Sequence, residues 1–250
     1  MTGLLLFLYT GRGVVGEEIR TSYKLGSRQA EILEAAVREF IRTGRPVSSG
    51  MLYRRYQFGI KPARIRSELH ELTARGFLRQ AYRSSGRVPS DLGYIFYAHG
   101  ILSGAPSSLR NSGLARLARF FSQLQWEQFL QHFSSLLGLV GVIEDLRRGE
   151  IKKGGIARLV ERLDWQSAEE VRDVVWDFEQ IDRRLPRAVS IAEQQEDVAV
   201  FVGSQSPLTE SDQLSVLLKK CEKRGNEILL VAVGPKRMDY QKVITLLRNL

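Results

Sequence analysis

The sequence predicts an α+β chain in two parts, a small helical domain ending in a basic hairpin and a mixed α/β domain behind it. Three observations predict this. Between Pro46 and Arg87, two short amphipathic segments flank a tight turn at Phe58-Gly59-Ile60, and an apolar run, Gly76-Phe77-Leu78, leads into a basic Ser/Gly loop, Arg83-Ser84-Ser85-Gly86-Arg87. The net charge of +9 is unevenly placed: residues 1–100 hold 16 Lys and Arg against 8 Asp and Glu, whereas residues 101–250 hold 21 against 20. From residue 114 onward, helical periodicity and short apolar runs mix in the manner of an α/β or α+β domain. Helix, turn, second helix, strand and hairpin, in that order, is the layout of a winged helix-turn-helix.

Taken in order, residues 1–26 form an N-terminal arm. Its apolar run from Leu4 to Tyr9 is six residues long, too short for a membrane span or a signal-peptide core. Gly11-Arg12-Gly13-Val14-Val15-Gly16 has the G-x-G-x-x-G spacing. A dinucleotide site would also need a helix, a second strand and an acid about 20 residues on. That position falls inside the next long helix, so the match is read as coincidence.

Residues 27–102 are the predicted winged helix. Ser27 opens its first helix as N-cap and Gly44 closes it; Ala30, Leu33, Val37, Phe40 and Ile41 share one stripe, with Glu39 among the residues turned away. Ser48 or Ser49 caps the next helix, which ends near Tyr56. The following helix begins at Pro62, whose missing N–H costs nothing in a first turn, and stops at Gly76. Ile65, Leu69 and Leu72 form its apolar stripe. Ala63, Ser67 and His70 fall opposite, and Arg64 and Arg66 lie on the flanks. A ridge of small residues with an arginine on each side suits a major groove, where Arg can donate two hydrogen bonds to guanine. The loop from Tyr82 to Val88 projects as a wing, with Arg83, Ser84 and Arg87 against phosphates and Gly86 supplying a positive φ at its tip. Lys61, Arg54 and Arg55 add phosphate contacts, and Ser49 and Tyr53 complete the candidate DNA-binding set. Ser90-Asp91 starts a last helix through Ile101.

Residues 103–113, SGAPSSLRNSG, read as a linker. The domain at 114–250 starts with one long helical pattern from Leu114 to Leu137, the candidate dimer seam, then a strand over Leu139–Ile143 and a charged turn, Glu144 to Lys153. Further expected elements are a short helix from Ile156 to Leu163, a helix capped by Ser167 running to about Arg183, and a strand over Val198–Val202. A helix capped by Thr209 and ending at Gly225, a strand over Ile228–Val233 and a terminal helix from Met238 complete the series. The single cysteine, Cys221, excludes an internal disulfide and a Cys-based zinc site, and is expected to be a small core residue. His70, His99 and His132 stand far apart, so no metal site and no cofactor are expected, nor any membrane partner. The compartment read from this is cytoplasmic.

Several of these stretches also resemble a known family. Gly44-Arg45-Pro46-Val47-Ser48-Ser49, Pro62-Ala63-Arg64-Ile65-Arg66, Ser84-Ser85-Gly86-Arg87-Val88-Pro89-Ser90-Asp91-Leu92-Gly93-Tyr94 and Gly234-Pro235-Lys236-Arg237-Met238-Asp239-Tyr240 are similar to successive signatures of the HrcA heat-inducible transcription repressors. The resemblance implies an N-terminal winged helix and a GAF-like dimerisation domain. It implies binding of an inverted-repeat operator of chaperone genes in double-stranded DNA by a homodimer, modulated by the GroE chaperonin. The chain departs from the family between Ser107 and Gly155, where the usual first strands and inserted segment are not evident, so a smaller second domain is expected. The Lys236-Arg237 motif is expected to fix a turn. The competing reading is a winged-helix module that docks a nucleic acid or protein for an uncharacterised α/β enzyme domain. No Ser/His/Asp set, P-loop or metal-ligand cluster supports it, and the chain reads as a non-enzyme.

Overall fold

The computed structural model describes residues 25–80, 85–109, 112–163 and 167–250. The chain divides into two compact units, with the boundary between Ser103 and Gly104. Residues 1–24 of the expected arm and residues 81–84 of the expected wing lie outside the described residues, as do residues 110 and 111 of the expected linker.

The first unit contains α1 (Ser27–Thr43), α2 (Ser49–Arg55), α3 (Pro62–Ala74), a two-stranded ribbon of β1 (Leu78–Arg79) and β2 (Val88–Pro89), and α4 (Asp91–Leu102). Local sequence accounts for most of its boundaries. Gly44 ends α1 in the left-handed region with φ 66°, its N–H donating to the Phe40 carbonyl. Ser48 caps α2, its hydroxyl accepting from the Met51 N–H. Gly76, at φ 81°, ends α3: its N–H donates to Thr73 and that of Phe77 to Leu72, at 3.0 and 2.9 Å. This is a Schellman motif, and Leu72 and Phe77 bury its apolar contact. Ile32, Leu33, Leu52, Ile65, Leu69 and Phe96 fill the interior.

Three expectations in this unit are corrected. Ser27 is the first helical residue; the cap position is Gly26, which offers no side chain. Glu39 is buried at 1% exposure, because Arg42, Arg55 and Tyr56 converge on its carboxylate. Gly86 is not among the residues with positive φ. Its need for hydrogen arises from close approach, since a Cβ there would lie 2.7 Å from the Pro46 carbonyl carbon.

The second unit is a five-stranded antiparallel sheet between helices. Its elements are α5 (Ser112–Ser122), α6 (Trp126–Leu137), β3 (Val140–Asp145), β4 (Glu150–Gly154), α7 (Ile156–Val160), α8 (Ala168–Glu193), β5 (Ala199–Val202), β6 (Leu214–Lys223), β7 (Asn226–Pro235) and α9 (Tyr240–Arg248). Strand order is β4-β3-β7-β6-β5, with every neighbour antiparallel. This order fits the GAF-like expectation. Val142, Val216, Leu218, Leu229 and Val231 face Leu159 of α7 and Val174, Ile181, Leu185 and Ala188 of α8. On the other face, α6 approaches so closely that a Cβ at Gly141 would lie 2.8 Å from Leu130.

This unit departs from the sequence expectation more often. The stretch from Leu114 to Leu137 is two helices, not one. Leu124, at φ 58°, ends α5 with the N–H of Gln125 donating to the Phe120 carbonyl. The apolar stripe is spent inside the unit: Leu117, Phe121, Phe129 and Phe133 are fully buried, and Phe129 packs 5.3 and 5.5 Å from Phe121 and Phe133, ring centre to ring centre. It is therefore not a dimer seam. The expected charged turn is mostly strand, because Glu144 and Asp145 pair with Ile151 and Glu150. With β3 and β4 in place, the region before Gly155 does supply the first strands of the domain. Helix α8 continues ten residues beyond Arg183, through Pro186.

The largest error is the helix expected from Thr209 to Gly225, which is strand β6. Two features block the helix. The N–H groups of Glu210 and Ser211 donate to the buried Asp177 carboxylate at 2.9 Å instead of starting a helical turn. Beyond Lys223, Arg224 and Gly225, at φ 51° and 74°, form the two-residue turn that returns the chain as β7. Cys221 lies on β6, partly exposed, and burial pushes its thiol pKa up despite the charges of Lys223 and Lys219. Around the Lys236-Arg237 pair, the Met238 N–H donates to Pro235 at 2.9 Å, Asp239 caps α9, and the Tyr240 hydroxyl meets Ser215 at 2.8 Å in the core. The motif forms the expected turn.

Candidate nucleic-acid interface

The candidate interface is built on α3, whose buried side fixes what its outer side presents. Ile65, Leu69 and Leu72 are at most 1% exposed, which leaves Lys61, Ala63, Arg64, Arg66, Ser67 and His70 exposed. Two contacts hold the helix from the α1 side. The Gln29 amide donates to Glu71 at 2.7 Å, and Arg75 donates to the Gln29 carbonyl oxygen at 3.2 Å. Gly59, at φ 66°, makes the tight bend that lets α2 and α3 pack on each other.

The cations on this surface fall into two kinds. Arg64 donates from Nη2 to Glu68 Oε1 at 2.8 Å, and that carboxylate is almost wholly buried while the Arg64 side chain is 59% exposed. Arg55 likewise pairs through Nε with buried Glu39 at 2.7 Å. Lys61, Arg54 and Arg66 are exposed and form no ion pair among the described residues. Tyr53 is half exposed on α2. Ser49 is buried, so the fold withholds its side chain from the surface; the capping hydroxyl belongs to Ser48.

The ribbon is placed differently from the wing expected of the sequence. Arg87 sits at its base, not its tip. Its backbone N–H and carbonyl both pair with Val47 at 2.8 Å, and its Nε donates to Thr73 Oγ1 at the end of α3, at 3.2 Å. Arg83 and Ser84 lie outside the described residues. Arg79, exposed on β1 opposite buried Leu78, is a ribbon cation that the sequence reading missed. The alternation of Leu78 and Arg79 was its signal. Chemically, the surface offers planar guanidinium donors and small side chains on one helix edge, with further cations on α2 and the ribbon. Such an arrangement can bond anionic oxygens and the acceptor edges of bases.

Among the described residues, no group of three or more His, Cys, Asp or Glu is placed to hold a metal ion, and no helix is long and apolar enough to cross a membrane.

Residues 102–244, more than half of the chain, match the family model of the HrcA protein C-terminal domain. Among curated proteins, the chain is 33% identical over 114 residues to the heat-inducible transcription repressor HrcA of Moorella thermoacetica, a match covering 46% of this chain and 33% of that protein. It is 45% identical over 84 residues to that of a Synechococcus strain, covering 34% of this chain and 22% of the relative. These matches span a third or less of the relatives' own length. A crystal structure described only as that of a hypothetical protein superposes with a TM-score of 0.72 at 16% identity, covering 90% of this chain and 98% of the other. That likeness concerns the fold alone.

Proposed function

Since the chain belongs to the HrcA family, we propose that it is a sequence-specific transcription repressor of heat-shock (chaperone) genes, acting by occupying an inverted-repeat operator. Residues 27–102 are the winged-helix DNA-binding domain in this reading, residues 103–113 a linker, and residues 114–250 the domain that builds a homodimer and responds to a GroE-type chaperonin. The single observation that carries the proposal is the outer edge of α3. It presents Lys61, Arg64, Arg66 and Ser67 to solvent, on the half of the chain that holds nearly all the excess positive charge. The names of the matched relatives support the repressor role.

Phosphate contacts supply affinity through counterion release, and base contacts supply discrimination. A lone helix-turn-helix reads few base pairs, so an inverted repeat read by a two-fold dimer is the natural target. The test titrates the full chain against duplexes that it selects from a random-sequence library, with light scattering on the free and bound protein. The expected results are an inverted repeat among the selected sequences, two chains per duplex, and an affinity falling about 10³-fold between about 50 and 200 mM salt for roughly six phosphate contacts. Binding that is flat across that range, or a monomer both free and on DNA, overturns the corresponding part of the proposal.

A further inference from the structure

We infer that Glu68 is the positioning residue of the interface: its buried carboxylate holds the Arg64 guanidinium in place, so that Arg64 reads a base edge while Arg66 serves the phosphates. The inference rests on the DNA-binding reading of α3 and assigns its two arginines different tasks.

The observation is an asymmetric ion pair. Glu68 is 3% exposed, on the face of α3 that also buries Ile65, Leu69 and Leu72. An ionised carboxylate in that position needs a partner, because removing the partner strands a charge out of water. Arg64 is that partner: Nη2 lies 2.8 Å from Oε1, and Glu68 has no other ion pair among the described residues. Buried Glu68 therefore cannot release Arg64 cheaply, whereas the Arg64 side chain is more than half exposed and its guanidinium has five N–H donors, more than one carboxylate contact uses.

Two consequences follow for binding. The ordering of a long side chain is completed before DNA arrives, so the fork meets a base edge already oriented, which is how preorganisation adds discrimination. The Arg64 charge is already balanced by Glu68, so it adds little to the sequence-independent attraction of phosphates. Arg66 has no such partner among the described residues and keeps its full charge for that role.

The test uses the full chain, a duplex selected by it from a random-sequence library, and a scrambled duplex of the same composition. Glu68→Gln, which keeps the volume and an acceptor oxygen but removes the charge, should lower the ratio of selected to scrambled binding about tenfold. It should also tighten scrambled binding and steepen the salt slope by about one unit. In an Arg64→Ala background the same change should leave the ratio unmoved. Arg64→Lys, which keeps the charge and loses the fork, should lower the ratio with the slope unchanged; if Glu68→Gln does not fold, Glu68→Asp, which keeps the charge but shortens the reach to Arg64, takes its place and should lower the ratio as well. The inference is overturned if Glu68→Gln lowers only the thermal midpoint, if it acts equally with and without Arg64, or if Arg64→Lys retains the ratio. A wild-type chain that selects no duplex overturns the repressor reading as well. Selection that survives all three variants overturns the roles given to Glu68 and Arg64 and leaves the repressor reading standing.

Discussion

Glu39 of the first unit, buried, and Glu144 of the second, half-buried, are treated in opposite ways. Glu39 on α1 receives Arg42 at 2.8 Å, Arg55 at 2.7 Å and the Tyr56 hydroxyl at 2.9 Å. Burial works against its charge, but the hydrogen bonds of Arg42 and Tyr56 and the charges of Arg42 and Arg55 outweigh it, and the pKa lies below the ordinary carboxylate range. Glu144 on β3 has a buried Oε2 with no hydrogen-bond partner among the described residues. Burial, followed by repulsion from Asp182, pushes its pKa up. Desolvation has the same sign at both sites. What differs is the supply of donors, and that supply turns one carboxylate into a clamp between α1 and α2 and the other into a liability.

All three tryptophans, Trp126, Trp165 and Trp176, follow residue 103 in the sequence, so tryptophan fluorescence does not report on the first unit while far-UV circular dichroism follows both. The comparison predicts that Glu39→Gln destabilises the first unit by about 2–3 kcal/mol at neutral pH, since the hydrogen bonds of Arg42, Arg55 and Tyr56 lose their charged acceptor. The dichroic signal should then melt earlier in urea with the fluorescence midpoint in place. A common shift of both signals would show that the clamp does not belong to one unit. Arg55→Ala should cost less, about 1–2 kcal/mol, because Arg42 and Tyr56 remain on the carboxylate.

The two glutamates also predict opposite responses to acid. Glu39 has a depressed folded pKa, so its contribution is complete above the unfolded value of about 4.3 and is lost as pH falls through the folded value. Glu39→Gln should flatten the acid limb of the dichroic stability curve; an unchanged limb would mean that other carboxylates set it. Glu144 has a raised folded pKa, so its penalty is absent in acid and grows as pH rises from the unfolded toward the folded value. The smallest expected effect is therefore a gain: Glu144→Gln should stabilise the second unit by less than about 1 kcal/mol at neutral pH, because water screens the site, and by nothing below about pH 4. A loss of fluorescence midpoint in that variant would remove Glu144 as a source of strain.

Two helix ends show what was legible in the sequence. Gly76 announces the end of α3, because glycine is the residue that the left-handed position favours. Leu124 ends α5 by the same hydrogen-bond pattern, but leucine in that conformation costs about 1–2 kcal/mol and carries no local sign of it. Ring packing across the bend, of Phe121 on Trp126 and Phe129 and of Phe120 on His132, offsets that cost. The strand β6 was hidden for a related reason. Leu214, Val216, Leu217 and Leu218 are buried on both faces of the sheet, so the apolar run shows no alternation, and the lysines after it suggest an amphipathic helix. The Arg224-Gly225 turn was the available clue. On the candidate interface, the outward edge of α3 was readable from helical spacing. The pairing of Arg55 with Glu39 was not, since 16 residues separate them and periodicity reports only neighbours.

Val47 pairs with Arg87 through both backbone groups, and Gly86 lies against Pro46 too closely to admit a Cβ. The entry to α2 and the base of the ribbon are thus one hydrogen-bonded piece made from two distant stretches of chain. For anyone building chimaeras, this sets the unit of exchange. A wing borrowed from another protein brings its own residue at position 86, and any side chain there collides with the loop that aims α2. Swapping residues 80–88 alone would tilt the helix it was meant to spare, whereas moving residues 45–48 with them transfers an intact joint. Wing and loop are inherited together or not at all.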